Sequence, residues 1–170
     1  CTCCCGSISE NVAECDAVIG NSLTSVGVLR IELFVATRSH VTQVVVAGPG
    51  APTINTLDDL AGHTVAVRER SIQFDSLQKL NETFKQQGKS PVIIKTVPLA
   101  LEDEDILEML NAGLIPLAVV DSHKAEFWAQ VLPNIRLHPE AAVRTGGEIA
   151  WAFRKNSPQL AAVVNEFAAK

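Results

Sequence analysis

TLDDLAGHTVAVRERSIQFDSLQKLNETF, residues 56–84, is the stretch whose reading decides the fold. Thr56 stands where a helix N-cap accepts backbone N–H bonds, and Asp58 and Asp59 follow where a helix macrodipole favours carboxylates. Gly62 ends that short helix. Residues 64–67 (TVAV) are rich in β-branched side chains and read as a strand. The polar group Arg68, Glu69, Arg70, Ser71 breaks the apolar run. Ser71 is then placed to cap a second helix, whose apolar residues Phe74, Leu77, Leu80 and Phe84 recur at helical spacing. A strand feeding a helix through a short polar turn leaves free N–H groups at the strand's carboxyl end, where open α/β sheets bind ligands. The alternative is an α/β unit used only for packing.

The pattern repeats on both sides. Upstream, residues 15–20 (CDAVIG) read as a short strand and residues 21–25 as a polar turn. Residues 26–34 are apolar and fit helix or strand equally. Residues 41–47 (VTQVVVA) are strongly β, and Gly48, Pro49, Gly50 and Pro52 end them in a stiff connector. Downstream, Gly88 suits a helix C-cap, residues 92–97 a strand, and residues 101–111 (LEDEDILEMLN) an acidic-fronted helix stopped at Gly113. Residues 117–120 form another strand that runs into Asp121, Ser122 and His123, followed by a helix with Phe127 and Trp128. Residues 135–137 and 148–153 are expected as separate short strands. Ser157 and Pro158 open a last helix that is expected to bury Leu160, Val163, Val164 and Phe167. Alternation of this kind predicts an α/β fold with a mainly parallel sheet covered by helices. It also predicts that the strand ends at residues 68–71 and 121–122 meet across one cleft.

Composition narrows the function classes. The chain has 170 residues, 47% hydrophobic and 19% charged, so it can build a sizeable core. A net charge of −5, few aromatics and the absence of a basic patch argue against a nucleic-acid partner. Four of the five cysteines fall in the first five residues (CTCCC) and the fifth is Cys15, so no disulfide is expected beyond residue 15. Adjacent cysteines have poor ligand geometry, and no metal or cofactor is expected.

No catalytic constellation is visible: GxSxG, a P-loop and HExxH are all absent, and His40, His63, His123 and His138 are scattered. The acidic run Glu102, Asp103, Glu104, Asp105 lacks the alternating ligands and glycine of a calcium loop and reads as a stabilised helix N-terminus. Trp128 and Trp151 sit in apolar, periodic contexts that suit a core. Asp121 ends an apolar strand and suits either a helix N-cap or an amine-binding acid.

Five stretches in order, DAVIGNSLT (16–24), VTQVVVAGPGAP (41–52), TLDDLAGHTVAVRERS (56–71), EDILEMLNAGLIPLAVVDSHKAEFW (104–128) and GGEIAWAFRKNSPQLAAVVNEF (146–167), resemble a type 2 periplasmic solute-binding protein. More narrowly, residues 81–86, 101–113 and 123–139 are similar to the solute-binding-like domain of membrane-bound lytic transglycosylase F. The resemblance implies a two-lobe periplasmic-binding-protein-like fold with lobe one N-terminally truncated, because the family's leading strand–helix–strand–helix block has no counterpart here. It implies a partial lobe one and first hinge at residues 1–50, an α/β lobe two at 51–137, and a second hinge with a return to lobe one at 138–170. The hinges fall near residues 41–50 and 138–148. The family's carboxylate-binding groups map to Asn21, Ser22 and Thr24 and to Arg68, Arg70 and Ser71, and its amine-binding acid maps to Asp121. Where the family has Thr-Pro-Glu-Arg after Thr24, this chain has Ser25 to Leu29 before Arg30, which shifts the arginine out of register.

The resemblance therefore implies a non-catalytic domain of the bacterial envelope, periplasmic or outer-membrane-associated. It would bind a small zwitterion, an amino acid or a cell-wall peptide (muropeptide), by cleft closure, with a transporter as partner. The alternative is a regulatory domain of a peptidoglycan lytic transglycosylase whose catalytic module is fused outside this chain. A free-standing enzyme on this fold, such as a dehydratase, lacks a convergent acid–base set.

Overall fold

Valine-rich stretches buried on both faces, at residues 44–47, 65–67 and 117–120, set up the architecture. The computed structural model describes residues 17–21, 31–154 and 158–168, with side chains for residues 40–147 and 158–167. The elements in chain order are β1 (Ala17–Asn21), β2 (Ile31–Ala47), a 3-10 turn (Leu57–Leu60), β3 (Thr64–Arg68), α1 (Ile72–Gln86), β4 (Ile93–Val97), α2 (Asp103–Asn111), β5 (Leu117–Asp121), α3 (Ser122–Trp128), β6 (Arg136–Arg154) and α4 (Pro158–Ala168). The chain divides into unit 1, Cys1–Val41 with Gly146–Lys170, and unit 2, Thr42–Thr145. Strands β2 and β6 run through both.

In unit 2, β3 pairs in parallel with β4 and with β5, and β5 pairs antiparallel with β2. The unit 2 strand order is β2-β5-β3-β4, and in unit 1 β1 pairs antiparallel with β6. Alternation along the strands sorts the core into two layers. On one face Val45, Val65, Val67, Leu117 and Val119 pack with Leu77, Leu80 and Phe84 of α1. On the other, Val44, Ala66, Ala118 and Val120 pack with Ile106, Leu107 and Leu110 of α2 and Ala125 of α3. A strand such as LAVVD, apolar up to its final Asp121 and buried at all five positions, follows from having helices on both sides.

The helix ends follow the local chemistry. Ser71 caps α1, its hydroxyl accepting the Phe74 N–H at 3.2 Å. Asp59 accepts the Asn55 and Thr56 N–H groups at 2.9 and 2.8 Å, and these bonds hold its carboxyl below the usual range. Asp105 reaches back to the Glu102 N–H at 2.7 Å, so the acidic run does cap a helix. Helix α2 closes with Leu114 N–H on Met109 O and Gly113 N–H on Leu110 O, both 2.9 Å, with Gly113 at φ +73°. That is a Schellman ending, and the Lys89 and Gly88 N–H groups close α1 in the same way.

Three expectations change. The segment that fitted helix or strand is strand from residue 31 onward. Residues 136–154 are one continuous strand, where separate short strands at residues 135–137 and 148–153 were expected. Within this strand Gly147 marks a close approach: a Cβ there would lie 3.1 Å from the Val41 carbonyl oxygen. In α4, Val163 and Phe167 are 65% and 67% exposed, so the expected burial holds only in part, at Leu160 and Val164. Trp128 packs against the α2–α3 layer as expected, in edge contact with the exposed Phe127. The side chain of Trp151 lies outside those described.

Candidate functional site

Parallel pairing places the carboxyl ends of β3 and β5 at one edge of the unit 2 sheet. The antiparallel β2 brings Gln43 directly opposite Asp121 there. Both continue the face of Val45 and Val119, the face that α1 covers, and α1 begins at this same edge. The first-turn N–H groups of Ile72 and Gln73, which a helix cannot bond internally, therefore open beside the end of β5.

Asp121 is 1% exposed. It stands at the N-cap position of α3, yet its side chain makes no cap bond, which removes the capping explanation for this residue. Its Oδ1 accepts the Gln73 side-chain N–H at 3.2 Å, and its Oδ2 has no hydrogen-bond partner. Burial pushes its carboxyl up to about 6. The negative charge of Asp103 adds to the rise, while Lys124, the Gln73 bond and Arg144 oppose it. Gln43, 4% exposed, also leaves its Oε1 without a partner. Two buried acceptors thus lie side by side on neighbouring strands, where directly opposed residues have Cβ atoms about 5 Å apart.

The remaining sequence-derived residues scatter. Ser71 is 5% exposed, and its hydroxyl donates to the Arg68 carbonyl oxygen at 2.7 Å. What the turn offers a ligand is therefore backbone N–H rather than the serine proton. Arg68 follows Ala66 onto the opposite face, where its guanidinium pairs with Glu102. Its Nε is buried without a partner. Arg70 is exposed and adopts φ +56°, a left-handed conformation that costs a non-glycine residue about 1 kcal/mol. Asn21 ends β1 in unit 1, and Ser22 and Thr24 lie outside the described residues. The structure thus gathers Ser71 and Asp121 at one edge of unit 2 and turns Arg68 away from the face they share.

Solved structures supply the comparison. The substrate binding protein of an amino acid ABC transporter superposes with a TM-score of 0.70 at 22% identity, over 92% of this chain and 65% of its own. Tv2483 bound to L-arginine gives 0.66 at 23%, over 89% and 58%. The periplasmic VFT2 domain of Bordetella pertussis BvgS gives 0.64 at 18%, over 90% and 60%. This is the two-lobe fold of the type 2 periplasmic binding proteins. The chain spans about three-fifths of the length of these three chains. No family model and no curated protein sequence matches it.

Within the binding-protein fold, sequence reasoning missed Gln43, Gln73 and Lys124. Gln43 carried a signal: it is the one polar side chain in the run VTQVVVA after Thr42, and an unsupported amide inside a buried strand calls for a partner. Lys124 bonds Asp103 at 2.7 Å, forming an ion pair beside Asp121. Burial alone would push the Lys124 ammonium down, but Asp103 more than reverses this and leaves it raised. A cavity of about 470 Å³, lined by residues 51–55, 136–138 and Glu140, lies past the Ala47 end of β2. It contains none of the site residues, and its charged Arg136 and Glu140 are exposed, so the buried acceptors at residues 43 and 121 define the site better than volume does.

Proposed function

We propose that unit 2 carries the recognition groups for a small zwitterion, an amino acid or short peptide, in a solute-binding domain of the bacterial envelope. The observation that carries this reading is the unpartnered Oδ2 of the buried Asp121. A buried acceptor without a donor costs about 1–3 kcal/mol, and an ammonium group entering the site repays it. The free N–H groups of Ile72 and Gln73 and the dipole of α1 suit the carboxylate of the same ligand. Arg70, exposed at the turn, is the cation available to that carboxylate, since Arg68 is committed to Glu102. Two of the similar structures are described by an amino acid ABC transporter and by bound L-arginine, which favours an amino acid over a muropeptide and a transporter as partner. For Asn21, Ser22 and Thr24 the assignment rests on the sequence resemblance alone. The narrower likeness to a lytic transglycosylase domain rests on its sequence stretches alone.

Titration calorimetry with a panel of L-amino acids, L-arginine first, tests the proposal. Removing one partner of a buried charge pair costs about 2–5 kcal/mol, so Asp121→Asn is expected to weaken binding by more than about thirtyfold while the fold persists. Equal affinities in the two proteins would discard Asp121 as the amine site. Absence of binding to any amino acid would discard the ligand class.

A further inference from the structure

The sheet register points to a function for Gln43 that rests on the amine-binding reading of the site. Gln43 and Asp121 are direct partners across β2 and β5, and both are more than nine-tenths buried. Each presents an oxygen with no donor, Oε1 from Gln43 and Oδ2 from Asp121. Two acceptors cannot satisfy one another unless a hydrogen is placed between them. We infer that Gln43 and Asp121 form a paired acceptor in which a carboxyl proton bridges the two oxygens in the free protein and the ligand's ammonium takes that proton's place in the complex.

Below about pH 6, where the carboxyl holds its proton, the Asp121 hydroxyl of the free protein donates to Gln43 Oε1, while Oδ1 keeps its bond from Gln73. When a primary ammonium enters, the proton leaves to solvent, and two N–H groups of the ligand bond Oδ2 and Oε1. No covalent bond to carbon changes, and charge balances: one cation enters and one proton departs. The surroundings support the protonated state. The charged groups that bear on Asp121 are Asp103 from the start of α2, which repels a carboxylate, and Lys124 from α3 and Arg144 from β6, which favour one. Lys124 is already bonded to Asp103, which blunts its pull. Gln73 from α1 and Gln43 from β2 are neutral, and β3 adds no charge on this face because Arg68 pairs with Glu102 on the other. Burial and Asp103 prevail, and the carboxyl sits at about 6.

The test has two arms. The first needs no ligand. An infrared difference spectrum of wild type against Asp121→Asn at pH 5 is expected to show a protonated-carboxyl band that disappears by pH 8. In Gln43→Leu, and in the longer Gln43→Met should the first variant fail to fold, that band is expected to move to higher frequency because its proton has lost its acceptor. A missing band, or one unmoved in a folded Gln43 variant, would overturn the paired acceptor. The second arm is calorimetry with L-arginine in two buffers of different ionisation enthalpy. About one proton is expected to be released at pH 5 and close to none at pH 8. Binding with heats independent of buffer at pH 5 would overturn the exchange while leaving the amino-acid reading intact. A shifted infrared band with no binding of any amino acid would do the reverse: the pair would stand and the ligand class would fall.

Discussion

At Asp121 the proposed amine site stands against the stability of the free protein. Its carboxyl is raised from an ordinary 3.8 to about 6, so the folded state holds the proton more tightly than the unfolded state. Below about pH 3.8 both states are protonated and the residue carries no ionisation penalty. Between 3.8 and 6 the stability falls as pH rises, and above 6 the full penalty applies, about 3 kcal/mol for a rise of this size. Asp121→Asn keeps an acceptor for Gln73 and removes the charge. It is therefore expected to stabilise the free protein by about 1–3 kcal/mol at pH 7.5 and by much less at pH 4.5, as read from urea unfolding at the two values. A variant less stable than wild type at pH 7.5 would show that the carboxylate is structural. A residue that lowers stability and is retained for binding is a common pattern at functional sites. The sequence placed Asp121 at a strand end but left cap and ligand roles open, since only the hydrogen-bond inventory separates them.

The elements were legible where local chemistry decides them. Ser71, Asp59, Asp105, Gly88 and Gly113 act within a few residues of their own position, and each terminates or opens the element that its type predicts. Gly113 sits at φ +73°, and a Cβ added there would meet nothing within 4 Å, so replacing it tests conformation alone. Gly113→Ala is expected to cost about 1 kcal/mol, measured as a lower urea midpoint with unchanged slope. The failures lie in β2 and β6. Pro139 and the pair Gly146 and Gly147 are breakers in isolation, and a long strand retains them because its neighbours supply the pairing. Helix α4 is the other partial failure: its spacing is amphipathic, but burial depends on what lies opposite, and Val163 and Phe167 remain exposed.

Among the described residues, the two buried apolar clusters fall between Val44 and Ala141, inside unit 2. Its sheet, with α1 on one face and α2 and α3 on the other, therefore has the layered core that independent folding requires. A fragment of residues 42–145 is expected to unfold cooperatively in urea and to keep the helical circular dichroism of α1 to α3. A fragment that is unfolded or shows a broad, non-cooperative transition would mean that unit 2 depends on the rest of the chain. The same fragment would retain Gln43, Gln73 and Asp121, so its infrared carboxyl band should match that of the full chain. Unit 2 begins at Thr42 and ends at Thr145, and residues 43–47 of β2 pair with β5 within it.

By itself the sequence determined the α/β class, the helix caps and the two strand ends that carry polar groups, because these depend on side-chain periodicity and on contacts within a turn or two. Only the tertiary structure decided which of those groups belong to one site. Strand parity sent Arg68 to the face of Glu102, and the antiparallel register of β2 and β5 brought Gln43 to Asp121 across more than seventy residues of chain. A one-residue change in either register would reverse these assignments, since side chains alternate faces along a strand. Whether a buried acid caps a helix or waits for a ligand is set by where its second oxygen points, and only the packed sheet leaves that oxygen of Asp121 without a donor.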